Sequence, residues 1–443
     1  MTASRPTEWR AVDDPHVVYG WRPQSKRAPL QFERGENAAL WDRQGRRYVD
    51  LGSGQINVNI GYGHPRVREA IQRQAAGLAY VAPYFATEAR LELSRRVAER
   101  TPGDLDHIFF CNGGSDAIET ALKVARAATG RPKILSAWQS YHGATAGASS
   151  ISGDPRRLMA EPVTPGVARF HTPGQFRSPF GQLSPEQEDE AALAAVEASF
   201  QQEGPDRVAA VVVEPIIGTS GLYVLSSTFL RGLRALCDRF GALLIADETM
   251  SGWGRSGAWF ACDDHGLVPD ILTTAKGITS GYVPLGVVAL SQRLRDSFLD
   301  RPFVGGLTTE GHALACAAAL ANLDVYEAES LVERSAELGA YALDRLGRMK
   351  AAHPSIGDVR GKGLFAAIEL TSDRASRAPL AGARPKTATL AEDLFRRLLS
   401  LGVIVIAKGD LLFVAPPLTI PRDDLDLALD AVDHVLSRVD TFL

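Results

Sequence analysis

Gly241-Ala242-Leu243-Leu244-Ile245-Ala246-Asp247-Glu248 is followed by Thr249-Met250-Ser251-Gly252-Trp253-Gly254-Arg255-Ser256-Gly257, and then by Ile271-Leu272-Thr273-Thr274-Ala275-Lys276-Gly277. The first and last segments are apolar runs of strand length. The middle one is too rich in glycine for regular structure. Each run ends in a charged residue, Asp247 in one and Lys276 in the other. In an open α/β sheet, the edge formed by the strands' C-terminal ends is where ligands bind. An acid and a lysine delivered there form either a structural ion pair or the working pair of a site.

Working outward, the same texture recurs. Val208-Ala209-Ala210-Val211-Val212-Val213 ends in Glu214-Pro215. A near-continuous valine run reads as a strand covered on both faces. A helix over 228–240 joins it to the run at 242–247, so the order is strand, helix, strand, with a right-handed crossover expected. Upstream, His107-Ile108-Phe109-Phe110 leads into Cys111-Asn112-Gly113-Gly114-Ser115 and a helix from Asp116. Backbone N–H groups at such a helix start, together with the Ser115 hydroxyl, would cradle an anion such as a phosphate. No G-x-x-x-x-G-K-[ST] occurs, so a nucleotide P-loop is not supported. A strand at 133–136 leads to Tyr141-His142-Gly143, where an aromatic could stack on a flat ring or simply face solvent. Phosphate cradle, aromatic, acid and lysine together suit pyridoxal 5′-phosphate (PLP). The lysine would form the Schiff base, and the acid would keep a proton on the pyridine nitrogen, making the ring an electron sink.

The 443 residues exceed the roughly 250–300 at which one core stops growing, so a divided architecture is expected. The net charge is −4 with both signs mixed, which offers nothing to nucleic acid or an anionic membrane. No apolar run reaches the roughly 20 residues of a membrane span, and Met1–Pro6 lacks a signal-peptide core. The four cysteines are far apart and form no CxxC pair, against both a disulfide framework and a zinc site. A cytoplasmic enzyme is the expectation. Only eight lysines occur among the 48 basic residues, so few compete with Lys276.

Elsewhere the pattern predicts an N-terminal arm and a hairpin over 31–51 turning at 42–45. Residues 52–55 read as a loop. Helices are expected at 65–77, 88–101, 185–202, 313–328 and 331–349, with a long surface loop at 172–185. A strand is expected at 287–291. Toward the C-terminus, strands at 364–370 and 411–415 would flank a helix at 387–401, and a last helix would run from about 421.

Taken together and in order, Asn112 to Glu119, Tyr141-His142-Gly143, Glu214-Pro215, Asp247-Glu248 with Gly252-x-Gly254-Arg255-x-Gly257, Ala275-Lys276-Gly277 and Gly311-His312 resemble class III PLP-dependent aminotransferases. The likeness spans about residues 30 to 420. It is nearest to the ω-amino acid–pyruvate branch, and Gly153-Asp154-Pro155-Arg156-Arg157 is similar to taurine–pyruvate enzymes. The resemblance implies the type I PLP fold: a mostly parallel seven-stranded sheet in a large domain, plus a smaller α+β domain from both chain ends. It divides the chain into 1–60 (arm and part of the small domain), 61–330 (large PLP-binding domain) and 331–443 (rest of the small domain).

The same resemblance implies a homodimer with shared sites. Lys276 would carry the Schiff base and Asp247 would pair with the ring nitrogen. Gly114 and Ser115 would hold the phosphate. Tyr141 would stack on the ring with His142 beside it, and Glu214 would join the acidic network. Thr249 stands on the opposite ring face where the family has Val, and a buried hydroxyl there needs a partner. Thr308 would reach the partner subunit's cofactor phosphate. Trp21 and Phe85 would line the substrate pocket, with Arg22 as an anion contact.

One departure bears on substrate. The branch's mobile carboxylate-binding arginine falls near Ile406, and no arginine lies between Arg397 and Arg422. Lys408 is the nearest cation, expected in a turn facing solvent. Arg22 and Arg177 are the candidate substitutes. Pyruvate is therefore the expected acceptor in a ping-pong cycle with an amine or ω-amino acid donor. The alternatives are a PLP decarboxylase or racemase on the same fold, a metal-dependent hydrolase using His142, His265 and His312, and a fold that has lost catalysis.

Overall fold

The computed structural model describes residues 16–21, 23–24, 30–381 and 389–441. Seven strands form its central sheet, in spatial order His107–Cys111, Gly286–Leu290, Ile271–Thr274, Leu243–Asp247, Val208–Val213, Lys133–Ala137 and Val167–Phe170. Six run parallel. Gly286–Leu290 is antiparallel to both neighbours.

The alternation along the strands explains the double covering. Val211, Val213, Leu244 and Ala246 join one apolar cluster with helices Pro185–Glu203 and Ser227–Phe240. Ala210, Val212, Leu243 and Ile245 face the other way, onto helix Gly114–Thr129. All six residues of Val208–Val213 are buried, as a strand between two helical layers must be. Burying each Val or Leu contributes roughly 1.5–3 kcal/mol, so a charged residue at Val212 would unseat the sheet.

Local signals set where the strands begin. Ser184 and Gln187 form a capping box that starts helix Pro185–Glu203, with Pro185 in its first turn. Ser226 caps the next helix, and Gly241 at φ +63° ends it in the left-handed region. The chain then enters Leu243–Asp247 directly.

The expected hairpin over 31–51 is instead a three-strand meander, Phe32–Glu36, Ala39–Asp42 and Arg47–Asp50. Its last strand pairs in parallel with Val403–Ile404, so the two ends of the chain share one sheet. Residues expected as a loop at 52–55 fall in an irregular helical turn, Ser53–Ile56. In the C-terminal part, Phe365–Asp373 and Leu411–Val414 pair as neighbours, with helix Leu390–Ser400 between them in sequence. Ile356–Lys362, Ile406–Lys408 and the short Ala378–Pro379 complete that sheet and were not expected. Ile356–Lys362 is half polar and contains glycines, so its pairing comes from the neighbouring strand rather than from its own pattern. Among the described residues no helix is long and apolar enough to cross a membrane.

Candidate active site

Strand register brings the acids and the lysine together. Ala246 pairs with Val213, so Glu214 follows beside Asp247. Asp247 pairs with Thr273 on the other side, and Lys276 lies three residues beyond that. Lys276 has φ +47°, a conformation rare for a non-glycine residue, where the strand breaks into a short 3-10 turn. Gly114, Ser115, Tyr141 and His142 line one cavity of about 170 Å³ with Glu214, Asp247, Thr249 and Lys276. Met250 lines it as well.

Its electrostatics are those of a buried charge cluster. Asp247 is buried. One of its oxygens lies 2.8 Å from His142 Nδ1, and the other accepts the Thr249 N–H at 3.0 Å. Burial opposes charge on His142, but the hydrogen bond and charge of Asp247, with the charge of Glu214, outweigh it and raise the imidazole pKa. Glu214 accepts N–H bonds from Tyr141 and Gly218. Burial pushes its carboxyl up to about 7, with Asp247 adding to the rise and His142 opposing it. Burial brings the Lys276 amine down to about 8, against the pull of Asp247 and Glu214 and with a push from Arg156.

These residues fit PLP. Helix Gly114–Thr129 starts with no capping side chain, so its first N–H groups are left for an anion. Ser115 Oγ accepts the Ala144 N–H at 3.2 Å. At Gly143, φ is +141° and a Cβ would lie 2.3 Å from Ser115 Oγ, so only glycine lets the loop close over the helix start. His142 Nε2 and Thr249 Oγ1 are buried without a hydrogen-bond partner among the described residues, and both belong to residues lining the cavity. The hydroxyl that departs from the family's Val thus finds no bond among the described residues.

The remaining expected residues lie elsewhere. Thr308 is exposed, and its carbonyl accepts the Tyr80 hydroxyl at 2.7 Å. Phe85 is exposed against Tyr84, with ring centroids 4.6 Å apart. Trp21 is half exposed under the Arg156 guanidinium, 5.5 Å from its ring. Neither Phe85 nor Trp21 lines the cavity within this chain. Arg22 falls outside the described residues. Arg177 is committed to Glu369 and Asp410. Lys408 is exposed beside the turn, as expected, and its Nζ also lies 2.5 Å from Asp154 Oδ2 and 3.2 Å from the Thr219 carbonyl.

Sequence reasoning missed Arg156, whose guanidinium lies 3.6 Å from the Tyr141 ring centroid. The Gly153-Asp154-Pro155-Arg156 run carried the signal, but nothing local said which way Arg156 turns. As for a metal site, His265 Nδ1 bonds Ser227 Oγ at 2.8 Å and His312 lies against Tyr80. No group of three possible metal ligands occurs among the described residues.

Fold, cradle, acid and lysine define a PLP-dependent enzyme of fold type I. The chain belongs to the class-III aminotransferases: the family model matches residues 21–436. Its relatives include the 5-aminovalerate aminotransferase of Pseudomonas aeruginosa, 37% identical over 90% of this chain and 92% of that one. The leucine/methionine racemase of Thermococcus litoralis is 36% identical over 93% and 92%. Among solved structures, taurine:2-oxoglutarate aminotransferase from Bifidobacterium kashiwanohense, in complex with PLP and glutamate, superposes with a TM-score of 0.92. It is 34% identical and covers 96% of each chain.

Proposed function

We propose that this aminotransferase moves an amino group from an amine or ω-amino acid to pyruvate in two successive half-reactions. The observation that carries the reading is Lys276, a buried lysine brought down to about 8, at the sheet edge that also presents the Asp247–His142 pair. PLP, when bound, supplies the electron sink that makes the substrate carbon acidic. The chain's residues do the rest. Lys276 would hold the cofactor through Nζ, and its amine, once free and neutral, would take and return the substrate proton. Asp247, 2.8 Å from His142 Nδ1, would hold a proton on the ring nitrogen, and Glu214 would back that network. Gly114 and Ser115 would hold the phosphate, Tyr141 would pack against the ring, and Thr249 would offer it a hydroxyl. Thr308 completes the site of the partner in a homodimer.

Arg156, over Tyr141 and under one quarter exposed, is suited to meet the substrate's carboxylate or sulfonate. For the acceptor, the position of the branch's mobile arginine is Ile406, and the nearest cation, Lys408, is already paired. A second carboxylate would enter a dry site without a free partner. Pyruvate is therefore preferred over 2-oxoglutarate by at least roughly tenfold in kcat/KM, which needs only about 1.4 kcal/mol. Steady-state kinetics with one fixed donor and the two keto acids tests this, and a preference for 2-oxoglutarate sinks it. A donor panel of taurine, β-alanine, γ-aminobutyrate, diamines and aryl amines identifies the amine. An amino group appearing on added pyruvate separates transfer from racemisation or decarboxylation.

A further inference from the structure

We propose that Asp154 determines acceptor specificity: its buried carboxylate holds Lys408 out of the substrate's reach and fixes Arg156 over Tyr141. The inference rests on the acceptor reading above and assigns the residue that imposes it.

Asp154 is 2% exposed and bound on every side. Its Oδ1 accepts the Arg156 backbone N–H at 3.0 Å and Arg156 Nε at 2.9 Å. Its Oδ2 accepts Arg156 Nη2 at 3.3 Å and Lys408 Nζ at 2.5 Å. Its own N–H donates to the Ser140 carbonyl at 3.0 Å, fixing the carboxylate at the start of the segment that carries Arg156. Burial opposes the charge of Asp154, but the two cations win and hold the carboxyl down at about 2, so it is fully ionised at neutral pH.

Two positive charges, Arg156 and Lys408, thus share one negative one, leaving a single formal positive charge at this corner. Among the described residues, Nη1 of Arg156 makes no hydrogen bond, whereas Lys408 spends its charge on Asp154 and a further N–H on the Thr219 carbonyl. The cluster is within reach of the chemistry. Arg156 lies 3.6 Å from the Tyr141 ring centroid, and its charge is felt at Lys276. An acceptor with one carboxylate neutralises the surplus charge. A second carboxylate that drew Lys408 toward the cavity would take it from Asp154 and leave a buried anion with one partner fewer. Lys408 comes from strand Ile406–Lys408 of the C-terminal sheet, and Asp154 from a loop beyond the central sheet, so the contact also ties two parts of the fold together.

The test compares holoenzyme carrying Asp154→Asn, Lys408→Gln, or Asp154→Asn with Lys408→Met, against the parent. Calorimetry measures binding of glutarate, with two carboxylates, and butyrate, with one; this needs no turnover. Kinetics with 2-oxoglutarate and pyruvate run alongside. Asp154→Asn keeps the hydrogen-bond acceptor but frees Lys408. It is expected to tighten glutarate relative to butyrate by at least about tenfold, and the double variant to cancel that gain. An unchanged ratio in Asp154→Asn, or a gain that survives in the double variant, overturns the proposal. If Asp154→Asn does not fold, Lys408→Gln decides. A sequestered Lys408 predicts equal effects on both ligands, and a loss confined to glutarate makes Lys408 itself the receptor and overturns the proposal. A parent enzyme that aminates neither keto acid would refute the proposed function, while the two dissociation constants still judge Asp154.

Discussion

The Nδ1 of His142 lies 2.8 Å from Asp247 Oδ2, and both side chains are buried among the residues that line the cavity. A carboxylate fixed in this way offers its charge in one orientation to whatever faces it. Asp247→Asn removes that charge while keeping the shape. It should still bind PLP but turn over at least roughly a hundredfold more slowly, since preorganised groups of this kind are worth about 2.7 kcal/mol or more. His142→Phe leaves Asp247 without its partner and should cost less, about tenfold. Single-turnover rates of each half-reaction measure both, and parental rates in Asp247→Asn would remove Asp247 from the mechanism.

Lys276, brought down to about 8 by burial, is neutral in about a tenth of molecules at pH 7, against about one in 2,500 for an ordinary lysine near 10.4. Capture of PLP by apoenzyme should accelerate as pH rises and level off above about 8. Lys276→Ala should retain PLP through the phosphate cradle yet transfer no amino group. Borohydride reduction followed by peptide mapping places the label. A label on Lys123 or Lys362 would end the assignment.

Thr308 is exposed and lies outside the cavity of its own chain, held through its carbonyl by Tyr80. If it serves the partner's phosphate, a homodimer disrupted at Thr308 should retain PLP less well. Mixing that chain with Lys276→Ala chains should yield heterodimers with one intact site and recovered activity. Unchanged PLP retention, or a monomer at working concentration, counts against the shared site.

His353 is buried between two carboxylates of the C-terminal helix, with Nδ1 2.6 Å from Asp440 and Nε2 3.0 Å from Asp433. Burial opposes its charge, but the two acids prevail and raise its pKa above the usual 6.5. A raised folded-state value means the protonated form stabilises the fold. That contribution is complete below about 6.5 and fades as pH rises through the folded-state value. Denaturant titrations of the parent and His353→Gln should therefore differ most at acid pH and converge at alkaline pH. A constant difference would contradict the ion-pair account.

The parts of the fold legible in the chain were those with local causes. The valine run at 208–213, the helix between Ser226 and Gly241, and the glycine pair before Ser115 each follow from side-chain pattern and turn chemistry. The strand Ile356–Lys362 was not legible, because half-exposed polar residues become a strand only when a neighbour offers its edge. The hairpin over 31–51 went astray for a related reason: its third strand is held by Val403–Ile404, some 350 positions away, as the pairing of Val403 with Val49 shows.

By itself the sequence determined which residues would meet at one cavity: Lys276 and Asp247 at strand ends, Glu214 after its valines, Tyr141 and Ser115 at neighbouring edges. Those assignments need only the rule that parallel strands deliver their C-terminal residues to one side. Tertiary structure alone decided the charge balance around them. Asp154 and Lys408 are separated by 254 positions, and only the folded chain pairs the strand-end lysine with the buried carboxylate. The lowering of Lys276 to about 8 likewise comes from burial by elements distant in the chain. Electrostatic energy depends on distance and on exclusion of water, and neither exists until the chain has folded.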